Sequence, residues 1–252
     1  VLFSATMPRQ IKKIASKYLR DPQDIVIDEP LSKNSLISQR YWLVNNLNKL
    51  DALTRIIETE PSDAVLLFVK TKASAMEVAR QLDVRGLSSG ALHGDMAQKD
   101  RERTLRRLRE REINVLVATD VAARGLDVDR ITHVINYDIP YDVESYIHRI
   151  GRTGRAGKQG QAILFISKRE KRKLASIEKV TKQKIIEMPL PSKEMVNNRR
   201  IEKFKQTITD TFEQGELGDI QNILESYAAE TKVSAIEIAA ALGKLYAGKS
   251  SF

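Results

Sequence analysis

Of the 252 residues, 42% are apolar and 30% charged, and none is cysteine; a folded core is affordable, while wholesale disorder, disulfide scaffolds, thiolate metal sites and cysteine nucleophiles are excluded. No apolar run approaches the roughly 20 residues of a membrane span and no signal-peptide pattern opens the chain, so cytoplasmic residence is expected. The net charge of +9 is uneven: residues from Arg199 onward carry −1, which leaves +10 on the first 198. A basic body favours a polyanionic partner, because neutralising phosphates releases counterions, although a solvated charged surface explains charge alone equally well.

The chain starts at Val1 and reads as a piece of something longer. Ser4-Ala5-Thr6 follows the end of an apolar strand, and Pro8 suits the first turn of a helix over residues 8–19, with Ile11, Ile14, Ala15, Tyr18 and Leu19 on one face. Tyr41 and Trp42 lie in a strand-like run and are expected in core or edge positions. Buried strands are expected at Ala64–Val69, Asn114–Ala118, Thr132–Asn136 and Gln161–Ile166, where β-branched and apolar residues run together. Helical spacing fills the gaps at Ala73–Leu82, Ala97–Glu110, around Val143–Ile150, and at Lys168–Val180. Strands alternating with helices imply βαβ units, hence an α/β fold with a parallel sheet covered on both faces.

Residues 187–198, with Pro189 and Pro191, interrupt the alternation and are expected to be a linker. Beyond them only helical patterns remain: Ile201, Phe204, Ile208 and Phe212 form one stripe, and Ile220, Ile223, Leu224 and Tyr227 a second. Ser234 and Glu237 have the spacing of a capping box. The helix they open is apolar on two sides, with Ile236, Ala239, Ala240 and Gly243 against Ile238, Leu242, Leu245 and Tyr246. Three short helices cannot bury two faces among themselves; they dock on the α/β body or pair with another chain.

Chemistry concentrates in three strings. In Tyr146–Lys158 (YIHRIGRTGRAGK), Arg149, Arg152 and Arg155 recur every three residues with Gly151, Gly154 and Gly157 between them. Glycine allows close approach of the backbone to a ligand, and arginine offers a forked cation that can stabilise a transferring γ-phosphoryl group. In Ala118–Val128 (ATDVAARGLDV), Thr119, Asp120 and Asp127 follow a strand at the carboxyl edge, where ligands of open α/β sheets bind. Gly125 permits a turn that brings Asp127 round; Asp127 suits ribose hydroxyls and Thr119 a phosphate. In His93–Arg101 (HGDMAQKDR), Gln98 and Arg101 sit one turn apart at a helix N-terminus, which itself favours phosphate. Arg106, Arg107 and Arg109 read as a solvated surface, and His133 as structural. No cluster has metal-ligand spacing.

These strings, with SAT at Ser4–Thr6 and LLFVKTK at Leu66–Lys72, resemble in order and spacing motifs III, IV, IVa, V and VI of the DEAD-box RNA helicases. The likeness implies the second of two RecA-like domains: residues 1–30 the end of the first domain and a linker, 31–186 the second domain, 187–198 a linker, 199–252 a helical dimerisation domain. RRIEKF at Arg199–Phe204 and the helices after it resemble the C-terminal region of DeaD/CsdA-type bacterial cold-shock helicases, which forms a homodimer. That likeness makes ribosome assembly, messenger decay and cold adaptation candidate settings.

Carried over, the resemblance makes Arg152 and Arg155 arginine fingers on the γ-phosphate of ATP and places Gly125 and Asp127 at its ribose. His148 and Asp120 would couple to the first domain, alongside Ser4 and Thr6. Gly94, Gln98, Arg101 and Thr119 would hold an RNA backbone, largely independent of sequence, and Phe68 would support the motif VI arginines by packing. The chain has no GxxxxGK[ST] loop, no DEAD tetrapeptide and no adenine-reading motif. Mg²⁺ is therefore expected on the first domain, and no ATP hydrolysis from this chain alone. His148 stands where DEAH-type and RecQ-type helicases usually carry glutamine, which weighs against DNA. A non-catalytic RNA-binding or dimerisation module and a DNA-directed superfamily 2 helicase remain the alternatives.

Overall fold

The computed structural model describes residues 9–23, 25, 36–44, 48–155 and 157–247. Ser4, Thr6 and Pro8 lie outside them. The chain divides into two compact units, Val1–Asp51 with Ser62–Pro189, and Ala52–Pro61 with Leu190–Phe252.

The first unit is built on a seven-stranded sheet. Its strands are β1 (Ile37–Leu43), β2 (Ala64–Phe68), β3 (Ser89–Leu92), β4 (Val115–Ala118), β5 (Ile131–Asn136), β6 (Gly160–Ile166) and β7 (Ile186–Glu187). They are ordered β3-β4-β2-β5-β6-β1-β7, and every pairing is parallel. All residues of β2 and β4 are buried, as a central strand covered on both faces requires. One apolar cluster gathers Leu66, Phe68, Leu116 and Val134 with Leu108; a second gathers Ile37, Leu164 and Ile166 with Tyr146, Ile150, Leu174 and Ile177. Trp42 is buried with its ring edge-on to Phe165, 5.1 Å between centroids, a core residue as its strand-like setting suggests.

The helices are α1 (Arg9–Tyr18), α2 (Lys49–Thr59), α3 (Lys72–Val84), α4 (Gln98–Arg109), α5 (Asp120–Ala123), α6 (Val143–Ile150) and α7 (Lys171–Thr181), followed by α8 (Lys193–Gln214), α9 (Gly218–Thr231) and α10 (Ala235–Ala247). Capping side chains set several starts: Thr71 accepts from the Ser74 amide at 3.1 Å, and Asp142 from the Ser145 amide at 2.7 Å. That amide bond comes first among the groups holding the Asp142 carboxyl below its ordinary value. The helix expected from Lys168 opens as a 3-10 turn over Lys168–Glu170 before α7 begins. Within residues 187–198, α8 is already under way from Lys193.

In the second unit, Arg200 makes a two-point ion pair with Glu58 at 2.6 and 2.9 Å. Ser234 and Glu237 form the expected capping box, with Ser234 N–H donating to Oε2 at 2.9 Å and Glu237 N–H to Ser234 Oγ at 3.4 Å. Phe204 of α8 stacks near Tyr246 of α10, 5.5 Å between ring centroids, and a Cβ on Gly243 would sit 3.2 Å from the Phe204 ring. Only Val196 and Ile238 are buried among this unit's large apolar residues of α8–α10, while Phe212, Ile223, Ile236 and Leu245 are 67–77% exposed. No helix of the described residues is long and apolar enough to cross a membrane.

Candidate functional site

Because the sheet is parallel, every strand delivers its following loop to one edge. Leu92 of β3 pairs with Ala118 of β4, and the Thr119 amide donates to Leu92 O at 3.2 Å. Gly94 and Thr119 therefore leave the sheet side by side. Thr119 is half-buried at the start of α5 and makes no side-chain cap bond, so its hydroxyl is not consumed by the helix. The N-terminus of α4 likewise starts at Ala97 without a side-chain cap. Gln98, in its first turn, donates to Glu102 at 2.7 Å, and Arg101 reaches the Arg124 carbonyl at 3.2 Å, tying α4 to the loop after α5. Gly94 and Thr119 thus follow adjacent strand ends, and Gln98 and Arg101 lie in the first turn of the helix that follows Gly94.

A second group forms where α6 ends. Arg149 is its anchor: the side chain is 4% exposed, Nε and Nη2 donate to the two Asp120 oxygens at 2.6 and 2.8 Å, and Nη1 donates to Asn136 Oδ1 at 3.0 Å and Asp138 O at 2.7 Å. Its guanidinium lies over the Phe68 ring, 5.0 Å from the centroid. Phe68 therefore supports the first arginine of the string, while Arg152 and Arg155 are positioned otherwise. Arg152 donates to Leu126 O at 3.0 Å and His148 O at 3.3 Å. Burial first, and the nearby Arg155 second, pull it below its ordinary pKa, yet a guanidinium remains cationic at neutral pH. Arg155 pairs with Asp127 and donates to Gly151 O at 3.1 Å.

Two left-handed backbone positions make this geometry. Gly125 has φ +69°, the turn that returns the chain toward α6 before Asp127. Gly154 has φ +67°, and a Cβ there would lie 2.7 Å from Ile37 Cγ1, so both conformation and space demand glycine between Arg152 and Arg155.

His148 is exposed on α6. Asp120, expected to couple domains, has both oxygens engaged by Arg149, although its side chain is 48% exposed. The anchoring role of Arg149 was not assigned from sequence; the three-residue spacing does not say which arginine turns inward. Among the described residues no group of three or more His, Asp or Glu stands together as a metal site. The donor set here does not fit Mg²⁺. It does fit a nucleoside phosphate: two guanidiniums beside one carboxylate that is 80% exposed.

Residues 48–157 match the helicase conserved C-terminal domain, and residues 191–252 match the RNA helicase DeaD dimerization domain. The chain is 47% identical over 251 residues to the ATP-dependent RNA helicase DeaD of Mycobacterium tuberculosis, covering 100% of this chain and 44% of that protein. It is similar to the Escherichia coli DEAD-box protein SrmB bound to regulator of ribonuclease activity A, with 34% identity, TM-score 0.57, and coverage of 63% of this chain and 93% of that one. It is also similar to Saccharomyces cerevisiae Dbp5 L327V bound to RNA and ADP BeF3, with 31% identity, TM-score 0.68, and coverage of 80% and 53%.

The all-parallel sheet, the helicase C-terminal domain match and the likeness to DEAD-box structures together define a RecA-like helicase domain. The chain belongs to the DEAD-box family, as the C-terminal RecA-like domain followed by a DeaD-type helical region. It spans less than half the length of the curated relative it matches.

Proposed function

We propose that this chain is the C-terminal half of an ATP-dependent RNA helicase, supplying one side of a divided ATP site and part of an RNA grip. The observation that carries the reading is the convergence of Arg152, Arg155 and Asp127 at one point of the carboxyl edge. ATP is the substrate whose γ-phosphoryl charge Arg152 and Arg155 stabilise, while Asp127, in the loop that Gly125 turns, accepts hydrogen bonds from the ribose. The Arg155–Asp127 pair must open for this. With Asp127 largely in solvent the pair is worth about 0–1 kcal/mol, so opening is cheap.

Gly94, Gln98, Arg101 and Thr119 take the RNA sugar-phosphate backbone, which makes binding largely insensitive to base sequence. Asp120 joins the two groups: it follows Thr119 directly and grips Arg149, from which α6 carries on toward Arg152. In this reading closure of the cleft brings His148 and Asp120 against the first domain together with Ser4 and Thr6, and Mg²⁺ belongs to that first domain. The division into residues 1–30, 31–186, 187–198 and 199–252, cytoplasmic residence, and roles in cold adaptation or ribosome biogenesis are part of the same proposal, supported by likeness to DeaD proteins. In the full-length protein, ATPase activity is expected to rise with RNA and not with DNA of matched length; equal stimulation would favour the DNA-directed alternative.

The helical region serves as a homodimer interface. What supports this is its match to the DeaD dimerization domain, together with the apolar side chains of α8–α10 left open in the single chain. Light scattering over a wide concentration range should give a mass near twice the 28.5 kDa of the chain. A mass that stays at 28.5 kDa refutes dimerisation and leaves the helicase reading intact.

A further inference from the structure

Two helices of the first unit are rich in cations, and they treat them differently. On α4 and the turn after it, three arginines are neutralised locally, Arg103 by Asp100 at 2.6 Å, Arg107 by Glu112 at 3.2 Å and Arg111 by Asp63, while Arg101 and Arg109 are not among the described residues. The segment that opens α7 does the opposite. Lys168, Arg169, Lys171, Arg172 and Lys173 surround a single acid, Glu170, and all five cations are exposed. None of the five forms an ion pair among the described residues. Glu170 is turned back on the chain, accepting from Ser167 N at 2.8 Å and Ser167 Oγ at 2.7 Å.

Local stability does not account for this placement. The first turn of α7 carries three consecutive cations where the helix dipole favours negative charge, and the acid at its N-cap, Glu170, makes no side-chain cap bond to the helix. The inner face is held by Leu174 and Ile177, which are buried without help from the charges. Exposed cations that form no ion pair and oppose the dipole are open to a partner outside the chain. Besides its cations, the outward surface of α7 carries Ala175, Ser176 and Val180, with Val180 56% exposed; no aromatic anchor of the kind that centres protein interfaces stands among them. Unpaired cations with no aromatic anchor beside them fit a phosphate backbone better than a protein.

We propose that Lys168–Lys173 forms a second RNA-backbone contact, which holds nucleic acid flanking the strand gripped by Gly94, Gln98, Arg101 and Thr119. The placement allows one RNA to use both. β6 ends at Ile166, so the cluster stands on the same carboxyl edge as Thr119 after β4. With β2 and β5 between β4 and β6, the lateral offset is three strand spacings, about 14 Å. The contact rests on the RNA reading above for its polyanion and adds a surface that reading does not use.

The test is the binding of fluorescein-labelled poly(U) to this chain, by anisotropy, as salt is raised. Replacing the five cations by glutamine should lower affinity about 10- to 100-fold at low salt and make the log K against log salt slope shallower by roughly 2–3, the mark of phosphate contacts removed. The melting temperature should hold or rise, since the lost charges opposed the helix dipole. Ala175→Glu, which adds a carboxylate to the patch and removes no cation, should lower affinity and flatten the slope in the same direction and covers the case in which the fivefold variant folds poorly. Unchanged affinity and slope in both variants, with binding still lost in Arg101→Ala, would overturn this contact and leave the RNA reading standing. Unchanged binding in all three would remove both. Loss of polyglutamate binding with poly(U) binding intact would also overturn it, in favour of an acidic protein partner.

Discussion

Arg152→Ala in the full-length protein should abolish RNA-stimulated ATP hydrolysis, with a loss of about 10³-fold or more, while ATP-independent RNA affinity stays nearly intact. The magnitude is that of an arginine finger: a cation in place only when the phosphoryl charge is dispersed stabilises the transition state more than the ground state. The geometry makes the separation clean. Arg152 bonds only backbone carbonyls, Leu126 O and His148 O, so its removal orphans no buried charge. Neither contact passes through Gly94, Gln98, Arg101 or Thr119. Turnover and RNA affinity, measured side by side, check the expectation; unchanged turnover would refute the assignment.

Arg149→Ala should have the opposite signature, a loss of stability. Arg149 is buried and gathers Asp120, the Asn136 and Asp138 pair at the end of β5, and the Phe68 ring from three separate segments. Removing it leaves Asn136, which is fully buried, without its cation and opens a void beside Phe68. Deleting one partner of such a network costs about 3–5 kcal/mol, and discounting for the half-exposed Asp120 brings the expectation to about 3 kcal/mol. For a unit of this size that is roughly 6–12 °C in melting temperature by calorimetry. An unchanged melting temperature would show that the network is not structural. Arg152→Ala, on the rim of the same string, should barely move it.

The contrast between these two arginines also shows what was legible in the sequence. The α/β alternation was readable because β2, β4, β5 and β6 are runs of β-branched and aliphatic residues buried on both faces. β3 was not: its four residues are Ser-Gly-Ala-Leu, a poor strand on propensity, held by pairing with β4 and by Ser89, whose hydroxyl donates to Ala79 O at 2.7 Å. α2 carries helical spacing and a capping Asn48, whose side chain accepts the Leu50 amide at 2.9 Å, yet it was assigned to no element. The glycine-arginine string was readable as chemistry because few structural demands produce that pattern. Its internal division of labour was not. Arg149, Arg152 and Arg155 have equal spacing, and what separates them is long-range: Asn136, Asp138 and Phe68 collect beneath Arg149, whereas Leu126 and Asp127 meet the other two.

The two-faced character of α10 was legible too, from Ile236, Ala239, Leu242 and Tyr246, and so was the dilemma it poses. Gly243 and Tyr246 are used against Phe204 of α8, whereas Ile236 and Leu245 are left exposed. A pattern of apolar residues states that a face is to be covered and is silent on what covers it.

The central claim is that the chemistry is divided, with this chain supplying cations to a nucleotide it does not hold alone. The most direct test is ATP hydrolysis by the purified chain at saturating RNA, beside the full-length protein under the same conditions. The account predicts RNA-stimulated turnover from the full-length protein and none above background from the chain. RNA-stimulated turnover by the chain itself would contradict it, because Arg152, Arg155 and Asp127 would then belong to a complete site rather than to half of one.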